Sequence, residues 1–154
     1  CSVVVVANQI ADRYLQSVNR ILNLAIHRLD HQKELHLILP NPDLIFPLSE
    51  NYFGLTSGSI ALVIEHALEK RFPYDSRIEF AKLGKPFHPI YQKAADQAGH
   101  KNLIMIGDQV ATDIRGANAF GIDSVLVKSG ITSLSSLKNL PEDQRPKWLL
   151  ESLF

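Results

Sequence analysis

Leu103-Ile-Met-Ile-Gly-Asp-Gln-Val-Ala-Thr-Asp-Ile-Arg-Gly-Ala117 runs a short apolar segment into two carboxylates at the start of a helix. Residues 103–106 are all apolar, the pattern of a strand covered on both faces in a parallel sheet. Gly107 lets the backbone turn at the strand's C-terminal end, the edge where open α/β sheets bind ligands. Asp108 projects from that rim, and Asp113 follows five residues later. Thr112 has the chemistry of an N-cap and Gly121 that of a helix stop, with Ile114, Ala117 and Phe120 supplying apolar positions between them. An Asp behind a strand is also a common turn former or cap. Two that converge at a strand tip suit a hard divalent cation such as Mg²⁺, which takes oxygen ligands and keeps several waters.

Upstream, residues 2–7 form a β-branched run that reads as a buried strand. Tyr14, Leu15, Val18, Ile21, Leu22, Ala25 and Leu29 then recur at helical spacing, predicting an amphipathic helix over residues 10–29. A second strand at 35–39 completes a βαβ unit. His27 and His31 lie four apart near that helix's end, but no third ligand stands nearby, so a solvated or capping role is expected. Three prolines within residues 40–47 forbid continuous helix or central strand and mark a stiff connector. Ser57-Gly-Ser59 opens a second helix carrying Ile60, Val63, Ile64, Ala67 and Leu68, ending near Arg71. A short strand is expected at 78–82. A helix with Pro89 in its first turn, Ile90, Tyr91, Ala94 and Ala98 on its apolar face and Gly99 as its stop follows. Beyond the opening stretch come a strand at 124–127, a short helix marked by Leu134 and Leu137, a polar loop at 141–146 and an apolar tail at 148–154. The class is α/β, with parallel sheet and flanking helices.

Composition narrows the partners. Sixteen basic residues balance sixteen acidic ones, and no basic stripe stands out, which argues against nucleic acid. The run at residues 3–6 is too short to span a membrane and lacks a signal peptide's basic start. Cys1 is the single cysteine, so there is no internal disulfide framework and a reducing cytoplasmic setting is expected.

Lys85 sits in a tight turn, between Gly84 and Pro86, just before a helix. A positioned ammonium, two carboxylates and helix N-termini at one sheet edge make a site for an anion held with a divalent cation, and phosphate is the obvious anion. In phosphoryl transfer the protein mainly positions groups and neutralises charge. Lys85 suits that neutralisation and Asp108 suits the metal, while Asp113 suits either a metal-bound water or the orientation of Lys85.

Gly-Lys-Pro at 84–86, followed by Met-Ile-Gly-Asp-Gln-Val-Ala-Thr-Asp-Ile-Arg-Gly-Ala at 105–117, resembles the third and fourth motifs of the haloacid dehalogenase (HAD) superfamily. Asn41-Pro-Asp43 with Pro47, Ser57-Gly-Ser59 opening a helix, and Val125-Leu-Val-Lys-Ser-Gly130 resemble its class IIA branch, which includes the pyridoxal- and glycolate-phosphate phosphatases. The resemblance implies a Rossmann-like core with an inserted α/β cap: residues 1–46 as the C-terminal part of the cap, residues 47–154 as the C-terminal part of the core. It implies that Lys85 stabilises a phosphorylated intermediate, that Asp108 binds Mg²⁺ and that Asp113 supports both as a catalytic acidic residue. It places Asn41 and Asp43 at the hinge end of the cap, as substrate-binding residues, and makes the partner a small phosphorylated metabolite. HAD enzymes carry an Asp-x-Asp motif that supplies the nucleophile, and none occurs in these 154 residues. The chain alone is therefore expected to be inactive, as the C-terminal part of a phosphatase working through an aspartyl-phosphate. The alternative is a non-catalytic anion-binding or oligomerising module with a HAD-like half-fold, for which self-association is expected.

Overall fold

The computed structural model describes residues 1–7, 14–49, 52–128, 132, 137 and 140–153. The chain divides into two compact units, Cys1–Leu83 and Gly84–Phe154.

The first unit is built on a parallel sheet of β1 (Val3–Val5), β2 (His36–Leu39) and β5 (Phe80–Lys82), in that order. Val4 pairs with Leu37 and Leu37 with Phe80. These three side chains line one face, and all are buried. Helices α1 (Tyr14–Asp30) and α2 (Ser57–Arg71) supply Val18, Ala25 and Leu29, and Ile60, Ile64 and Leu68, to the same core. The βαβ reading of the first forty residues therefore stands. The expectation of a fully buried first strand does not, because Val3 and Val5 are 42 % and 53 % exposed. The expected start of α1 at 10–13 lies outside the described residues.

Between β2 and α2 the chain makes a hairpin of β3 (Ile45–Ser49) and β4 (Tyr52–Leu55), which the proline-rich connector reading missed. Pro47 is tolerated because a two-stranded ribbon has free edges where a missing N–H costs little, and the register shifts between Pro47 and Ser49. The expected 46/47 boundary falls inside this first unit. Helix α2 runs as expected, to Arg71.

The second unit carries a parallel sheet in the order β6 (Ile104–Gly107), β7 (Asp123–Val127), β8 (Trp148–Leu150). The tail expected only to pack back supplies β8, pairing Val125 with Trp148. Helix α3 (His88–Ala98) has Pro89 in its first turn and stops at Gly99, whose φ of 75° is the left-handed conformation glycine adopts freely. Helix α4 (Arg115–Phe120) stops at Gly121, φ 84°. Strand β6 is not covered on both faces: Ile104 and Ile106 are 56 % and 50 % exposed, since none of the described elements packs over them. Leu137 packs against the small core of Val110, Ile114 and Leu126. The helix expected around Leu134 lies outside the described residues.

Candidate functional site

The chemistry of the second unit gathers where β6 ends. Residues Val110–Ile114 do not begin an ordinary α-helix. They form a π-helical turn, in which the Ile114 amide reaches back to the Gln109 carbonyl at 3.3 Å. Thr112 therefore sits inside the turn and is not the N-cap expected of it; its hydroxyl donates to Gln109 Oε1 at 3.3 Å. Such wide turns concentrate at functional sites because they re-aim a side chain. Here the re-aimed side chain is Asp113.

Asp113 is 1 % exposed and fully partnered. Its Oδ2 accepts the backbone amides of Asp108 and Gln109, each at 3.1 Å, and its Oδ1 accepts from the Lys85 ammonium. A buried carboxylate needs such compensation, because desolvation penalises its charge. Gly107 provides the space, since a Cβ at that position would overlap the Asp113 carboxylate. Lys85 keeps 40 % of its side chain exposed. An ammonium carries three donors, so one is spent inward while the others can face a ligand.

Asp108 is fixed through its backbone. Its amide binds Asp113, and its carbonyl accepts the Thr132 hydroxyl at 2.6 Å. Thr132 also accepts the Val110 amide at 3.2 Å. Tyr91 on α3 donates to the carbonyls of Thr112 and Asp113, both at 3.2 Å. Burial, and behind it the Asp113 charge, pushes the Tyr91 hydroxyl up to about 12. The sequence marked neither residue for the site: Tyr91 reads as one more apolar-face residue, and both act on backbone groups that leave no pattern.

Lys85, Asp108 and Asp113 thus meet in one unit, while Asn41 and Asp43 belong to the other. Asn41 Oδ1 accepts the Asp43 amide at 3.2 Å, closing a tight turn. The start of α2 grips that turn: Ser57 donates to Asn41 O at 2.8 Å, the Thr56 hydroxyl donates to Asp43 O, and the Gly58 amide donates to Asp43 O at 3.1 Å. His31 Nδ1 lies 2.7 Å from the His27 carbonyl, a local contact in line with the capping role expected.

Asp113 is engaged at both oxygens, and Asp108 is a second carboxylate residue at the same rim. That set fits Mg²⁺, which uses one or two carboxylates with water and substrate phosphate oxygens, better than an ion needing an all-protein cage. No group of three or more His, Cys, Asp or Glu arranged for a metal occurs among the described residues.

The chain is similar to several known proteins. Residues 82–154 match the family described as HAD-hydrolase-like. A cardiolipin synthase (CMP-forming)/mitochondrial hydrolase fusion protein of Schizosaccharomyces pombe is 31 % identical, over 75 % of this chain and 21 % of its own length. An acid sugar phosphatase of Staphylococcus haemolyticus is 28 % identical, over 84 % of this chain and 46 % of its own. The crystal structure of a hypothetical protein from Pyrococcus horikoshii superposes with a TM-score of 0.76 at 27 % identity, covering 98 % of this chain and 51 % of that one. The chain spans about half or less of the length of these relatives.

Proposed function

The chain belongs to the haloacid dehalogenase superfamily, in its class IIA branch, and from that premise we propose that it forms part of a Mg²⁺-dependent phosphatase acting on a small phosphorylated metabolite. The observation that carries the reading is the Lys85 ammonium bound to a buried Asp113 beside Asp108 at the tip of β6. In this reading Lys85 neutralises charge on the transferring phosphoryl oxygens. Asp113 does not touch substrate; it fixes the lysine and, through two amides, the backbone at Asp108. Asp108 holds the metal, which when bound supplies positive charge against the phosphate. Asn41 and Asp43, gripped by the start of α2, serve in this reading as substrate-binding residues. The attacking carboxylate is not among these 154 residues, so the chain by itself does not turn over.

The test begins with the intact mass of the natural gene product, set against 17.2 kDa for this chain. A heavier product should hydrolyse p-nitrophenyl phosphate with Mg²⁺, and Lys85→Ala or Asp108→Asn should each lower turnover about 100-fold or more. Turnover indifferent to both substitutions would overturn the reading. The second reading, a non-catalytic module, requires a natural product of 17.2 kDa that folds and does not hydrolyse phosphomonoesters.

A further inference from the structure

We propose that Tyr91 is the positioning residue of this site: its hydroxyl holds the π-turn in the one conformation that delivers Asp113 to Lys85. The Thr112 carbonyl lies in the peptide before the Asp113 Cα and the Asp113 carbonyl in the peptide after it. A single hydroxyl 3.2 Å from both oxygens therefore ties together the two peptide planes that set where the Asp113 side chain points.

The surroundings leave little play. The Tyr91 ring is 4 % exposed and stacks on Phe120 at 5.7 Å, so α3 and α4 hold it from two sides. Gly116, one turn beyond Asp113, lies against the hydroxyl so closely that a Cβ there would overlap it. At the other end, Asp113 is wedged against Gly107. The carboxylate thus has one place to go, and the hydroxyl determines whether the backbone puts it there. A buried phenol gives up its hydrogen-bond partners at high cost, and the raised Tyr91 value keeps it a neutral donor across the physiological range.

The proposal rests on the phosphatase reading only for its effect on turnover; its structural content is tested without catalysis. The Asp108 and Gln109 amides bind Asp113 Oδ2, so they report its position. In Tyr91→Phe, hydrogen exchange at these two amides should accelerate about tenfold or more, while the Leu126 amide of β7 exchanges as before. Gly116→Ala, which displaces the hydroxyl with the tyrosine still present, should give the same local signature. Unchanged exchange at Asp108 and Gln109 in both variants would overturn the proposal. So would equal acceleration at Leu126, which would reduce the hydroxyl to general stabilisation. In the natural product Tyr91→Phe should lower kcat about tenfold with KM within about twofold, as expected of an interaction realised in the transition state. If exchange responds as stated and the unsubstituted natural product hydrolyses no phosphomonoester, the phosphatase reading fails and the positioning role stands.

Discussion

At the scale of single residues the site turns on a buried carboxylate with both oxygens engaged. Asp113→Asn keeps the shape and reverses part of the hydrogen bonding, because an amide NH₂ must face either the Lys85 ammonium or two backbone N–H groups. We expect it to cost about 2–4 kcal/mol in chemical unfolding, more than its isostericity suggests. Gly107→Ala should cost about 1–3 kcal/mol by the same measurement, because the added methyl overlaps the carboxylate. Tyr91 gives a pH signature. Its pKa in the folded chain is about 12 against 10.0 for an ordinary tyrosine, so the folded state holds the proton more tightly. The associated stability is present below pH 10.0 and is lost as pH rises toward about 12. The slope there approaches about 1.4 kcal/mol per pH unit. Tyr91→Phe should lack that component, so the two unfolding midpoints should converge between pH 10 and pH 12. Lys85, Asp108 and Asp113 were legible in the sequence because glycine, proline and a strand end fix where they stand. The supporting hydroxyls of Tyr91 and Thr132 were not, since their partners are carbonyls and amides brought close only by the fold.

At the scale of elements, periodicity carried the reading where helices pack on a sheet and failed where they do not. Helices α2 and α3 begin and end as their small residues, proline and glycine indicate. The hairpin of β3 and β4 was hidden by its own proline, which excludes a central strand and permits an edge. The π-turn was hidden because nothing in the composition of Val110–Ile114 separates a π-helical turn from an ordinary helix start. The start of α2 yields a prediction of its own. Gly58 packs its Cα against the turn that follows β2, and a Cβ there would occupy the space of the Pro42 and Asp43 carbonyl oxygens. These are backbone atoms that cannot rotate away. Gly58→Ala should therefore cost more than about 2 kcal/mol in thermal or chemical unfolding, although alanine favours helix by propensity. Thr56→Val, which removes only the hydroxyl bond to Asp43 O, should cost about 1 kcal/mol.

At the scale of the whole molecule, the sequence showed an α/β protein with a phosphate-type rim and no attacking carboxylate, and the structure adds where a missing partner would matter. Strand β6 pairs with β7 alone among the described strands. Its Ile104 and Ile106 stand about half exposed, immediately before the Asp108 tip. An unbroken apolar run is the mark of a parallel strand covered on both faces, which is why the sequence predicted burial here. A phosphatase built on this rim must bring its nucleophile within reach of Lys85, and residues supplying it would cover this strand. The two readings of function therefore separate at Ile106. If the natural product is longer and catalytic, Ile106→Lys should be nearly neutral in the 154-residue chain, where the side chain already meets water. In the natural product it should cost about 3 kcal/mol or more, because it buries a charge. Equal costs in the two chains, read from urea midpoints, would mean that nothing further covers β6, and the site would then belong to a module that binds without turning over.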